Sequence, residues 1–398
     1  AEFAVGVWDI MPLPISSIEV CMIGTPERRN SDSLKWGLFD KDVLPLWVAD
    51  MDFTSPPAVM EALQQRVAHG VFGYGKDPVE LKELVVERMF SHYQWRITCD
   101  DILVVPGVVS GFNLVCQAAA GEGDSILIQP PVYPPFFKAP GTAGARTLTN
   151  NLVLTADGRY GLDIQDFENA IEPDARAFLL CNPHNPVGKV FSREELTMMA
   201  EACLKHKMII ISDEIHCDLV YKGYSHIPIA ALDEEIAAST VTLVAPSKTF
   251  NIAGLDCSMI ICTDRELRER IKHARRGLMG GVNLLGIAAA IAAYRDGQSW
   301  LDEILHIMEG NRDFLMDYLV RNLPAIKMVK PEATYLAWLD CNGLGLPDRP
   351  DCYFLEHARV ALNNGEDFGE PGRGHVRLNF GCSREVLEVA LERMKSVL

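Results

Sequence analysis

The residues with the most chemical capacity stand just behind short apolar runs. Lys248 lies in APSKTFNIAG (245–254), at the end of the run Val241-Thr242-Leu243-Val244-Ala245, and no acidic residue follows it before Asp256. Asp213 and His216 belong to Ser212-Asp213-Glu214-Ile215-His216, behind Met208-Ile209-Ile210-Ile211. Asn185 sits in CNPHNPVG (181–188), behind Phe178-Leu179-Leu180. Tyr133 is the aromatic residue of the proline-rich stretch QPPVYP (129–134), behind Ile126-Leu127-Ile128. A glycine-flanked turn, PGVVSG (106–111), follows Ile102-Leu103-Val104-Val105 and opens a helix. Each feature also has a bland reading: a solvated lysine, a packing tyrosine, a turn-forming asparagine, a satisfied core histidine.

The set says more than its members. An aspartate behind four apolar residues is poorly solvated and needs a cation or an N–H partner. Free N–H groups at a helix start make a phosphate site. A lysine at a strand end can form a Schiff base with a carbonyl compound. A phosphate-grade turn, an aromatic plate, an amide donor, a buried acid and a lysine, in that order, are the parts that hold pyridoxal phosphate. Lys248 would bond its aldehyde, Asp213 keep its ring nitrogen protonated, Tyr133 stack on the ring and Asn185 donate to its phenolic oxygen. The 106–111 turn and Ser247 would take its phosphate.

These groups need elements to position them. Apolar runs of strand length alternate with helical segments, which implies βαβ units and a mostly parallel sheet whose carboxyl edge carries the ligand. Ser55-Pro56-Pro57 predicts a helix start with Ser55 as N-cap, and Gly70 closes that helix. Ser192-Arg193-Glu194-Glu195 is a capping box. After about residue 291 the pattern changes to a long helix (300–323) and separated strands at 335–339 and 376–380. The expected organisation is an N-terminal arm and part of a small domain (1–54), a large cofactor-binding domain (55–290) and a small α+β C-terminal domain (291–398).

Composition sets limits. The 398 residues are 48% hydrophobic, with 37 basic and 54 acidic side chains and a net charge of −17. That balance argues against nucleic acid or an anionic membrane as partner. No apolar run approaches a membrane span and no leader pattern is evident, so a cytoplasmic location is expected. Eleven cysteines without a C-x-x-C pair suit reduced core thiols, with no metal cluster expected.

The order NPHNPVG, SDEIH, APSKTFN and RLNFG resembles the fold-type I pyridoxal-phosphate enzymes of the aspartate aminotransferase superfamily. More narrowly, LPLWVADMDFTSPP, HGVFGYG, CNPHNPVGKVF, ISDEIHCDLVY, APSKTFNIAGL and RLNFGC resemble the MalY/PatB group of carbon–sulfur β-lyases, which includes cystalysin. The resemblance runs from about residue 30 to the C-terminus. It implies a large domain with a mostly parallel sheet plus a smaller α+β domain, and a homodimer with shared active sites. It assigns Lys248 as Schiff-base residue and α-proton base, Asp213 to the pyridine nitrogen, Asn185 to the phenolic oxygen and Tyr133 to the ring face. Val108 and Val109 would meet the phosphate through backbone N–H, Ser247 through its hydroxyl and Tyr74 from the neighbouring subunit. Arg377 would grip the substrate α-carboxylate, and His216 replaces a tyrosine of the aminotransferase pattern among the cofactor contacts. Where that pattern has a phosphate-binding arginine eight residues after the lysine, this chain has Asp256.

The implied activity is α,β-elimination from L-cystathionine or a related L-cysteine S-conjugate, giving a thiol, pyruvate and ammonia. Transamination on the same scaffold is the alternative, differing in where Lys248 delivers the proton. An added protein-binding regulatory role is a further one.

Overall fold

The structure is a computed structural model that describes residues 23–156 and 158–398. The part of the expected N-terminal arm before Ile23 lies outside the described residues. Seven strands form the main sheet: β1 (Ile102–Val105), β2 (Ser125–Ile128), β3 (Arg146–Thr149), β4 (Ala175–Cys181), β5 (Ile209–Asp213), β6 (Thr240–Val244) and β7 (Ser258–Ile261). Their spatial order is β1-β7-β6-β5-β4-β2-β3, parallel throughout except that β7 runs antiparallel to both neighbours.

Apolar residues cover both faces, as such a sheet requires. Leu179, Ile211 and Leu243 pack with Phe112 and Val115 of the 108–119 helix on one side. On the other, Phe178, Leu180 and Ile210 meet Leu196, Met199 and Cys203 of the 193–205 helix. That second helix starts where the sequence indicated: Ser192 accepts from the Glu195 N–H and the Glu195 carboxylate accepts from the Ser192 N–H.

The other predicted cap is absent. The helix is Pro57–Ala68 with Pro56 at its N-cap and no side-chain cap bond. The Ser55 hydroxyl instead donates to the Asn251 carbonyl at 2.9 Å, because two successive prolines move the helix start past the serine. Gly70 does follow the helix end, with φ +76°.

A four-stranded antiparallel sheet stands beside the main one, in the order β8 (Lys327–Met328), β9 (Leu336–Asp340), β11 (His375–Asn379), β10 (Asn363–Asn364). The long helix Gln298–Asn322 packs against it through Leu315 and Leu319. Among the described residues no helix is long and apolar enough to cross a membrane.

The chain links the two sheets at defined points. Leu44–Pro45 pairs in parallel with Val360–Ala361, and Asn379 donates its backbone N–H to the Leu46 carbonyl at 2.8 Å. Gly188, which ends the turn-rich loop after β4, accepts through its carbonyl from the N–H groups of Glu332 and Ala333. Gly188 has φ +69°, and a Cβ there would lie 2.7 Å from the Pro331 Cβ and 3.0 Å from the Ala333 oxygen. Gly188→Ala should therefore destabilise the fold by roughly 2–3 kcal/mol, since strained φ and backbone clash act together. Denaturant unfolding would measure this, and an unchanged midpoint would contradict the packing described.

Candidate active site

The register of the parallel strands brings the chemistry together. Cys181 of β4 pairs with Asp213 of β5, and Asp213 with Leu243 of β6, so three strands end level. The antiparallel β7 begins at that same edge, bringing Asp256 and Cys257 to it. A cavity of about 450 Å³ opens there, lined by Tyr133, Asn185, Asp213, Ser247, Lys248 and Arg377. Val108, Val109, His216 and Asp256 also face it. Tyr74 does not; it is fully exposed and borders a separate cavity with Phe72 and Leu284.

Asp213 is the last residue of β5 and only 4% exposed. Its carboxylate accepts the Ile215 N–H at 3.1 Å, and no cation pairs with it among the described residues. Burial raises its pKa to about 7, with that N–H and the charge of Lys248 opposing the shift and Glu214 adding to it.

Lys248 sits in the short helix Pro246–Thr249 that follows β6. Its amine donates to the Ala49 carbonyl at 2.6 Å. Burial pushes its pKa down to about 8, the charge of Arg377 adds to this, and Asp50 and Asp213 oppose it. The amine is thus within reach of a free-base form near neutral pH.

Arg377 reaches the cavity from β11 on the smaller sheet. One terminal nitrogen donates to Asn185 Oδ1 at 3.1 Å, and the other to the Trp47 carbonyl at 2.9 Å and to Asn363 Oδ1 at 2.6 Å. Asn363 stands directly opposite Arg377 in the sheet register. The guanidinium lies 5.0 Å over the Phe368 ring, and its Nε is buried without a partner among the described residues. Burial lowers its pKa to about 10, leaving it charged.

His216 is buried with Nδ1 unpartnered among the described residues. Burial, then the charges of Lys248 and Arg377, push its pKa down to about 3, so the ring is neutral. Burial also raises the Tyr133 phenol, keeping it protonated.

The opposite end of the cavity is built for an anion. Gly107, at φ +91°, turns the chain into the 108–119 helix. Among the described residues no acceptor takes the N–H groups of Val108, Val109 or Ser110. Ser247, nine-tenths buried, adds a hydroxyl with no partner among the described residues.

Three contributors gave no local signal in the sequence. The Ala49 carbonyl accepts from both Lys248 and, at 2.9 Å, the Tyr335 hydroxyl. Tyr335, expected inside a strand, stands just before the strand Leu336–Asp340, and Asn363 belongs to a polar pair in a two-residue strand. No group of three His, Cys, Asp or Glu side chains among the described residues could hold a metal.

The Asp213 environment has a measurable consequence. Its raised pKa favours the folded state while the carboxyl is protonated; that contribution is full below the unfolded pKa of 3.8 and lost as pH rises through about 7. Asp213→Asn should therefore stabilise the cofactor-free protein at pH above about 7, by on the order of 2–4 kcal/mol, with the gain vanishing toward pH 4. Unfolding curves of both proteins across pH would check this, and a constant difference would contradict it.

Comparison with known proteins gives the same site a lineage. Residues 41–394 match the model for aminotransferase class I and II. Cystathionine beta-lyase PatB of Bacillus subtilis is 41% identical over 380 residues, covering 94% of this chain and 98% of that protein. The crystal structure of OvoB superposes with a TM-score of 0.90 at 44% identity, covering 94% of this chain and 97% of the other. Cystalysin from Treponema denticola, whose crystal structure contains a pyridoxal 5'-phosphate cofactor, superposes with a TM-score of 0.90 at 34% identity, covering 94% and 98%. The chain belongs to the aminotransferase class I and II family, with the fold-type I architecture and with β-lyases of the PatB and cystalysin kind among its relatives.

Proposed function

We propose that this chain is a pyridoxal-phosphate-dependent carbon–sulfur β-lyase that cleaves L-cystathionine or a related L-cysteine S-conjugate to a thiol, pyruvate and ammonia. The observation that carries this reading is Asp213, a buried acid that meets no cation among the described residues, in the same cavity as the Lys248 amine. The named β-lyase relatives support the reaction type.

The residues fit the cofactor as a set. The uncompensated Asp213 carboxyl would be relieved by a protonated pyridine nitrogen, and the unpartnered N–H groups of 108–110 with Ser247 suit a phosphate. When bound, pyridoxal phosphate supplies an aldehyde that condenses with an amine and a ring that takes up the electron pair left when a bond to the α-carbon breaks.

The chain's own groups do the rest. Asp213 holds the ring proton, Tyr133 covers the ring face, and Asn185, already tied to Arg377, offers its amide to the phenolic oxygen. Arg377 binds the substrate α-carboxylate and thereby fixes the α-hydrogen toward Lys248. A planar guanidinium does this bidentately where an ammonium cannot. Lys248, with a pKa near 8, takes the α-proton at Nζ. The thiolate then departs from the β-carbon, which suits sulfur because a thiolate leaves far more readily than an alkoxide. The neutral His216 adds no charge that would compete with Asp213 for the ring cation.

The full exposure of Tyr74 supports a homodimer in which each copy lends this phenol to the other's phosphate end. The proposed division into a large unit (55–290) carrying Lys248 and a small unit (1–54 and 291–398) carrying Arg377 puts the substrate at their seam. A cytoplasmic amino-acid-metabolising enzyme is the setting these features suit.

The protein loaded with pyridoxal phosphate should release pyruvate and homocysteine from L-cystathionine in equal amounts. Amino transfer to a 2-oxo acid without pyruvate would sink the lyase reading in favour of an aminotransferase. Lys248→Ala should lose the visible absorbance of the lysine-bound cofactor and at least about a thousandfold in kcat. Arg377→Lys should lower kcat/KM by roughly 30- to 100-fold, mostly through KM, and an unchanged KM would contradict its assignment.

A further inference from the structure

The phosphate end of the cavity carries a feature of its own sign. Among the described residues of one copy its attractive groups are three backbone N–H donors, of Val108, Val109 and Ser110, and the buried Ser247 hydroxyl, to which the proposed homodimer would add the Tyr74 phenol of the second copy. The two cationic side chains that line the cavity among the described residues, Lys248 and Arg377, are committed elsewhere: the first to the Ala49 carbonyl, the second to Asn185, Trp47 and Asn363. Facing the helix start is instead an acid. Asp256 lines the cavity beside Ser247 and Ser258, and its Oδ1 lies 3.8 Å from where a Cβ on Gly107 would stand. The carboxylate has no hydrogen-bond or ion-pair partner among the described residues. Asp256 is held there by its backbone, at φ +46° on the C-cap of the Ala253–Leu255 turn, a left-handed conformation that aspartate and asparagine tolerate.

We propose that Asp256 is a cofactor-release residue: its carboxylate opposes a phosphate at the 108–110 helix start and makes the bound cofactor exchangeable. The inference rests on the pyridoxal-phosphate reading of this site. A helix start and two hydroxyls, of Ser247 and of Tyr74 from the second copy, are all uncharged and give a phosphate a moderate hold, and a negative charge at the rim of the same pocket works against them. Asp256 is solvent-exposed, so water screens the repulsion without abolishing it. The neighbouring donors are rigid, being backbone of a helix packed on the sheet, and cannot turn away from the acid. The consequence is a loaded enzyme that loses and regains its cofactor more readily than the rest of the site would dictate.

Asp256→Asn removes the charge while keeping the shape and the left-handed backbone. The test compares this variant with the wild type, both as full-length protein, by two readouts. The first is the affinity of cofactor-free protein for inorganic phosphate, by calorimetry; the second is the rate at which loaded protein releases pyridoxal phosphate to a trap. The variant should bind phosphate roughly five- to tenfold more tightly and release the cofactor more slowly by a similar factor, as expected for one screened charge near a phosphate. Asp233→Asn, which neutralises an acid at the N-cap of the 234–238 helix, controls for net charge and should change neither value. Equal phosphate affinity in wild type and Asp256→Asn, or weaker affinity in the variant, would overturn the proposal while leaving the cofactor assignment intact. Failure of all three proteins to take up pyridoxal phosphate would overturn the cofactor assignment itself, and this inference with it.

Discussion

A carboxylate taken out of water and, among the described residues, left without a cation is the constraint around which this molecule is arranged. Asp213 could not stand at the end of a buried strand at so little exposure without a change in its acidity, and burial pushes its pKa up to about 7. Such a group weakens the fold at neutral pH unless something positive arrives. Everything else at the sheet edge is consistent with that arrival: an aromatic plate, an amide, an amine with a lowered pKa and an anion seat at the far end. Perturbed groups gathered in one cavity mark a functional site more firmly than any of them would alone.

The second structural demand is that a cavity between two sheets keep its shape. The segment from Trp47 to Phe53 meets it by surrendering its carbonyls. Asn379 donates to Val48 and Asp50, Asn251 to Met51 and Phe53, and Arg377 to Trp47. Beneath it Lys35, with no exposed surface, pairs with Asp52 at 2.9 Å, and Arg28 bridges Asp50 and Asp52. Removing one member of such a buried network leaves the others uncompensated. The Ala49 carbonyl that receives Lys248 is therefore a fixed point, and the lysine's resting position is set by residues far from it in sequence.

How much of this was legible beforehand depended on the range of the interaction. The strands announced themselves as local apolar runs, and the residues behind them could be read in order as a cofactor set. Lys248, Asp213, Asn185, Tyr133 and Arg377 do line one cavity. The Ser192 capping box is likewise a three-residue matter and stands as expected. Ser55 misled because its preference for capping competed with two prolines and a distant carbonyl. Tyr335 and the Ala49 carbonyl were invisible because their contacts join segments 286 and 199 residues apart, and Asn363 because its place opposite Arg377 exists only once their two strands pair. Asp256 was legible as an acid in an arginine's place, but its approach to Gly107 required the antiparallel β7 to bring it to the shared edge.

The most direct test of the account is the ionisation of Asp213 itself. Infrared difference spectra of the cofactor-free and pyridoxal-phosphate-loaded protein, taken about one unit below its pKa of about 7, report the carboxyl directly. Loading should convert a protonated carboxyl into a carboxylate, and the change should be missing in Asp213→Asn. An Asp213 carboxyl in the same state before and after loading would mean that it pairs with no ring cation, and the organisation of the site described above would be wrong.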